Sequence, residues 1–171
     1  MNVPVDGSPR PGGAAPHRPL SVPVLVATVA GIGFVPFAPG TFGSIPGVAL
    51  ALGLRQVGPW WAEAAALVLL FVAGVWAASA AETHFGRIDP GPVVIDEVVG
   101  MLITTLFLPL TWTGWLVGFL VFRVCDVIKP FPAGRLEALH GGLGVMADDA
   151  MAAIYANLAL RLVVYLRPGW L

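Results

Sequence analysis

The sequence predicts an all-α protein embedded in a membrane, and three observations carry that reading. The first is composition. Of 171 residues, 57% are hydrophobic and 11% charged, with a mean hydropathy of +0.85, far from the balance of a water-soluble domain. The second is the spacing of charge. No Asp, Glu, Lys or Arg occurs in the 36 residues between Arg18 and Arg55, the 18 between Glu63 and Glu82, or the 25 between Glu97 and Arg123. Each stretch is long enough to be considered for crossing a bilayer. The third is punctuation: Gly and Pro cluster between apolar runs, as at 33–47 and 109–114, where they read as loops between helices.

Taken in order, residues 1–20 read as a disordered tail, since Pro4, Pro9, Pro11, Pro16 and Pro19 interrupt it before any apolar core forms. Residues 21–171 then form a single helical membrane domain. Leu20 to Ile32 is apolar but short, and Gly33 to Gly47 reads as a loop. Ser44 is placed to cap a helix from Ile45 to Val57, with Pro46 tolerated in its first turn. After a turn at Gly58-Pro59, Trp60 to Glu82 is the best single helix. Its two leading Trp residues suit an interface, and the small residues of VAGVWAASAA suit close helix packing.

Residues 83–92 are turn-prone and lead to Asp96-Glu97, where another apolar run begins. Pro109 to Gly114 splits that run into Val98 to Leu108 and Trp115 to Val121. Eleven helical residues cover only about 16 Å, roughly half a hydrocarbon core. The prediction is therefore a broken helical hairpin near 98–122, dipping partway with both ends on one face. The last helix runs from Ala150 to about Leu166, with Arg161 inside it and Arg167 at its end, where long side chains can snorkel.

Charge is scarce, yet Phe119 to Asp149 holds Arg123, Asp126, Lys129, Arg135, Glu137, Asp148 and Asp149. Arg123, Asp126 and Lys129 follow one another at helical spacing until Pro130 stops the helix. Gly141, Gly142 and Gly144 read as a flexible approach to Asp148 and Asp149 at the start of the last helix, a favourable place for carboxylates.

With Asp96 and Glu97, five acids thus stand at ends of apolar helices. An ionised side chain costs about 2.5–3.5 kcal/mol at the centre of a membrane helix, so an acid beside one points to function. Five acids brought together need a cation or proton among them, and hard oxygen ligands suit Mg²⁺, which also takes water and substrate phosphate. The plainer alternative is acids solvated at the membrane surface. Arg123 and Lys129 either pair with these acids or grip an anion. Gly40-Thr41-Phe42-Gly43-Ser44 is a second anion-binding candidate, with N–H groups and two hydroxyls ahead of a helix N-terminus, although such segments often only cap a helix. Glu82 and Glu137 read as surface residues, His84 and His140 as interfacial, and Cys125 as buried filler.

Other chemistries are excluded. A net charge of −1 without a basic run argues against nucleic acid, and a lone Cys125 rules out an intrachain disulfide or multi-Cys metal site. The residue six beyond Cys125 is Phe131, so no Cys-x₅-Arg phosphatase loop exists, and no Asp-x-Asp pair occurs.

The ordered series APGTFGS (38–44), DPGPVVIDEVVG (89–100), FRVCDVIKPFP (122–132) and GGLGVMADD (141–149) resembles the phosphatidylglycerophosphatase A family. The resemblance implies a Mg²⁺-dependent hydrolase that removes the terminal phosphate of phosphatidylglycerophosphate to give phosphatidylglycerol. It also implies an all-α bundle of about six helices around a central one. Carried over by position, the metal ligands are Asp96, Glu97, Asp126, Asp148 and Asp149. The catalytic set is Asp96, Asp126, Asp148, Asp149 and Lys129, and the phosphate contacts are Thr41, Gly43, Ser44, Arg123 and Lys129. Phe37 stands where family members often carry a basic residue.

Such a protein is a multi-pass protein of the bacterial inner membrane with its site facing the cytoplasm. Arg87, Arg123, Lys129, Arg135, Arg161 and the tail would lie on the site's side, with Arg55 and Arg167 outside. Two rival readings use the same residues: a non-enzymatic membrane protein that binds divalent cations, and a lipid phosphatase with a different headgroup.

Overall fold

The computed structural model describes residues 19–136 and 138–171. The expected tail falls outside the described residues up to residue 18, and so does Glu137. At the centre runs α4 (Ile95–Thr105), which buries ten of its eleven residues, all but Ile103. A helix without a polar face can only be surrounded. Around it stand α2 (Pro39–Val57), α3 (Ala62–Phe85), α5 (Trp112–Ile128) and α7 (Gly142–Leu166). The shorter α1 (Val22–Ala27), a 3₁₀ turn at Ile32–Phe34 and α6 (Ala133–Leu136) complete the protein. No strand occurs among the described residues, so the architecture is the all-α bundle about a central helix that the sequence led us to expect.

Small residues set the crossings. At Gly47 a side chain would strike Val98 and Met101 of α4, and at Gly100 it would strike the buried Phe122 ring of α5. Removing Cβ at such points lets helices approach closely. Ala152, Ala153 and Ala156 of α7 close the same cluster. α4 and α5 run antiparallel, with Gly100 facing Phe122 and Gly118 facing Thr104. The hairpin near 98–122 is present, and its two open ends meet where Arg123 reaches Glu97.

Two helices begin earlier than the sequence suggested. α2 starts at Pro39 rather than Ile45, so Ser44 is not a cap; its buried hydroxyl donates to the Gly40 carbonyl at 2.9 Å and Pro46 lies inside the helix. Gly43 and Gly47, read as loop residues, instead serve contact with Val94 and with α4. Tertiary packing overrides their weak helix propensity. α7 starts at Gly142 rather than Ala150. Gly141, with φ 71°, makes the turn, and Gly142 lies on the α3 backbone with its N–H donating to Ser79 Oγ at 2.9 Å. Asp148 and Asp149 therefore sit inside a helix rather than at its start.

The far end of α4 poses a physical problem. The last carbonyls of any helix lack intrahelical partners, and a helix about 16 Å long ends inside the bundle. Side chains from α2 and α7 supply the donors. Asn157 Nδ2 reaches the carbonyls of Ile103 and Thr104 at 3.0 Å each, and Arg161 Nη2 that of Leu106 at 2.9 Å. Arg55 donates to the carbonyls of Thr105 and Leu108 and pairs with the buried Glu63 carboxylate. Arg161 thus belongs with Arg55 at the end away from the acids, not on the site's side where the charge count had put it, because its position on α7 carries it to the α4–α5 link.

The outer surface is apolar. Leu69 and Val72 of α3, Leu116 and Val127 of α5, and Leu158 and Leu162 of α7 are all exposed. α3 and α7 are each long and apolar enough to cross a membrane.

Removing one partner of a near-buried ion pair strands the other. Arg55→Met is expected to destabilise the protein by roughly 3 kcal/mol, with the Arg55→Met/Glu63→Met double variant recovering only the part due to the stranded carboxylate, because the Thr105 and Leu108 carbonyls stay without their donor. Thermal unfolding in detergent reads this, and a double variant no more stable than the single one would contradict it.

Candidate active site

Four helices and one loop line a single cavity of about 220 Å³ at the end of the bundle where α4 begins, and three of those helices bring charged side chains to it. α4 contributes Asp96 and Glu97, α5 Arg123 and Asp126, and α7 Asp148 and Asp149, with Lys129 at the residue that closes α5. The first turn of α2 lines it through Ala38, Pro39 and Gly40. Lys129 has left-handed backbone geometry, φ 46°, which ends α5 before Pro130.

Within this cavity the five acids divide by partner. Asp96, Glu97 and Asp149 are buried, and each offers an oxygen within 4.8 Å of the others. Asp148 Oδ2 accepts from Lys129 Nζ at 2.7 Å. Asp126 Oδ2 lies 2.7 Å from Arg123 Nη1, which also reaches Glu97 Oε1 at 3.4 Å. The five were expected to act as one metal-ligand set; the structure places three within reach of one ion and pairs the other two with the cations.

The phosphate contacts expected on α2 lie elsewhere. Ser44 is buried and turned to the Gly40 carbonyl, Gly43 packs on Val94, and Thr41 faces an apolar groove outside the cavity. The reason is the earlier start of α2, which puts its N-terminus at Pro39-Gly40. Gly40 fits there because a Cβ would collide with Glu97 and the Arg123 guanidinium. The anion-friendly end of the helix is therefore at the cavity, but neither Thr41, one residue beyond Gly40, nor Ser44, four beyond it, lines that cavity. Phe37, 80% exposed, contributes nothing to the cavity lining.

Asp89 was missed. It lines the cavity from the loop before α4 and adds to the negative field at Asp96. Its neighbours Pro90-Gly91-Pro92 marked a turn and hid the acid within it; its spacing from Asp96 was the available signal.

Burial, and next the adjacent Glu97, push the Asp96 carboxyl well above the ordinary carboxylate range. Glu97 is also raised by burial, partly offset by its hydrogen bond with Asp96 and by Arg123. Glu97 Oε2 is buried with no hydrogen-bond partner. A carboxylate oxygen in that state is costly unless a cation meets it. Three hard oxygen donors converging beside it fit a divalent ion. The buried acidic cluster is thus able to hold a metal.

A raised carboxyl pKa fixes the sign of a pH effect. Asp96's stabilising share is fully present below its unfolded value of about 3.9 and is lost as pH rises through the higher folded value. Metal-free protein is therefore expected to melt at a lower temperature at about pH 8 than at about pH 5, with divalent cation restoring the loss. Scanning fluorimetry with and without chelator checks this; a metal-free melting temperature that climbs across that window would contradict it.

The family model described as Phosphatidylglycerophosphatase A matches residues 25–164. A Bacteroides thetaiotaomicron protein described as "Putative phosphatidylinositol-3-phosphatase" is 40% identical over 146 residues, covering 81% of this chain and 91% of that protein. Phosphatidylglycerophosphatase A of Haemophilus influenzae is 35% identical over 143 residues, covering 82% of this chain and 88% of the relative. Its namesake from Escherichia coli is 34% identical over 132 residues, with 76% of each chain covered. No solved structure matches. The matched span takes in every residue that lines the cavity, and the chain belongs to the phosphatidylglycerophosphatase A family.

Proposed function

We propose that the protein is a Mg²⁺-dependent lipid phosphatase that hydrolyses the terminal phosphate of phosphatidylglycerophosphate to give phosphatidylglycerol, working at the cytoplasmic face of a bacterial inner membrane as a multi-pass protein. The observation that carries this reading is the buried trio Asp96, Glu97 and Asp149, with its unpartnered Glu97 oxygen, beside two cations each held by its own acid. Membership of a phosphatase family argues against a non-enzymatic cation binder using the same acids.

The residues divide the work as follows. Asp96, Glu97 and Asp149 hold the ion, which when bound screens the phosphate's charge and lowers the pKa of water. Arg123 and Lys129 donate to the phosphate oxygens, and the N-terminus of α2 adds its dipole. Asp126 and Asp148 aim those two cations and keep them extended into the cavity. Water attacks phosphorus as a cavity carboxylate takes its proton, the bond to the glycerol oxygen breaks, and that proton passes on to the leaving oxygen, so that the lipid departs as the alcohol and the phosphate as inorganic phosphate. Asp89 and Asp148 both line the cavity and are the acceptors to compare. The apolar exterior of α3, α5 and α7 supports a lipid setting for this chemistry.

A different headgroup, that of phosphatidylinositol-3-phosphate, is the second reading, favoured by one observation: the 40% identical relative is described as "Putative phosphatidylinositol-3-phosphatase". Purified protein assayed for inorganic phosphate on both lipids, with Mg²⁺ and then with chelator, separates the two. Release from phosphatidylglycerophosphate that chelator abolishes is expected; preferential release from the inositol lipid would replace the first reading with the second.

Variants give the size of each contribution. Asp149→Asn is expected to lower phosphate release at least about 100-fold by weakening the ion site. Lys129→Ala is expected to lower kcat by about 100-fold through loss of a donor to the phosphate. Unchanged turnover in a folded Asp149→Asn protein would rule out the proposed ion site.

A further inference from the structure

We infer that the apolar groove between α2 and α5 seats one acyl chain of the phospholipid whose phosphate enters the acid cavity; this rests on the lipid-phosphatase reading above. The groove encloses about 480 Å³. Ile45 and Val48 of α2 form one wall, and Trp115, Leu116 and Phe119 of α5 the other, with Thr41 the lone hydroxyl among them.

Its position relative to the cavity is the argument. On α2, Gly40 lines the cavity and Thr41, the next residue, lines the groove. On α5, Arg123 lines the cavity and Phe119, about one helical turn earlier, lines the groove. The two hollows are therefore consecutive along both helices, polar above and apolar below. The stretch from Thr41 to Val48 is about 10 Å long, roughly two-thirds of one leaflet's hydrocarbon depth.

A second apolar hollow exists and lacks that continuity. It lies between α3 and α7, with a volume of about 250 Å³, lined by Leu67, Phe71 and Ile103 among others. Above it the two helices are in contact, with Gly74 against Met146 and Ile95, so α3 and α7 close the route to the acids.

Because lipid tails are as apolar as the groove, the contact adds little attraction of its own. What it supplies is orientation: a chain laid between α2 and α5 directs its headgroup past Gly40 toward Arg123. The groove should therefore govern turnover of the acylated substrate and leave the bare headgroup untouched.

The test uses full-length protein in detergent micelles with Mg²⁺. Its substrates are dioleoyl phosphatidylglycerophosphate and the same headgroup with both acyl chains removed. Ile45 and Leu116 are 57% and 59% exposed, so Trp is tolerated at either position without disturbing the core. Ile45→Trp and Leu116→Trp are each expected to lower kcat/KM on the dioleoyl lipid about tenfold or more while leaving the deacylated headgroup within about twofold. Val72→Trp, in the other hollow, is expected to change neither. A phosphatidylglycerol with a diazirine in its acyl chain is expected to cross-link to residues 41–48 and 112–119. Equal losses on both substrates, no loss on either, or cross-links concentrated on 67–72 would overturn the proposal. Should the wild-type protein release phosphate from neither substrate, the functional reading fails by itself, and the cross-link positions alone decide the groove.

Discussion

Mutual repulsion among carboxylates that the fold keeps out of water is the constraint on which the rest of this structure depends. Asp96, Glu97 and Asp149 share a buried space, in which loss of water first, and then the charges of Glu97 and Asp149, disfavour ionisation of Asp96. A fold can hold such a group only by supplying protons or positive charge. The helices around α4 do this unevenly: Arg123 and Lys129 satisfy Asp126 and Asp148 closely, while the trio is left with an orphaned oxygen. That unevenness separates this site from a structural ion-pair network, in which each acid would have a partner.

The bundle answers the same constraint at its other end by different means. There the buried groups are carbonyls, which need donors rather than cations, and Asn157, Arg161 and Arg55 provide them. Glu63 neutralises Arg55 in turn. Between these two polar ends the interior is apolar, with Met101 and the Phe122 ring packed against a run of Ala from α7. Polarity is confined to the ends because a half-length central helix exposes backbone only there.

The arrangement of the site was legible in the sequence to the extent that charge was rare. With so few acids in an apolar chain, Asp96, Glu97, Asp126, Asp148 and Asp149 stood out, and the interruption at 109–114 showed how distant pairs return to one side. What misled was glycine. In Gly40 to Ser44 and Gly141 to Gly144 it looked like loop, because local propensity cannot register a neighbouring helix that needs the missing Cβ. The same blindness hid Asp89, whose turn-forming neighbours suggested an ordinary bend.

Fastening α4 at both extremities has a mechanical consequence. The rod is gripped by Arg123 at one tip and by Asn157 and Arg55 at the other, so its position along its own axis is set from both sides. The depth of the acids in the bundle is consequently gauged from the far end of α4, so a side chain remote from the cavity still decides where the three carboxylates stand.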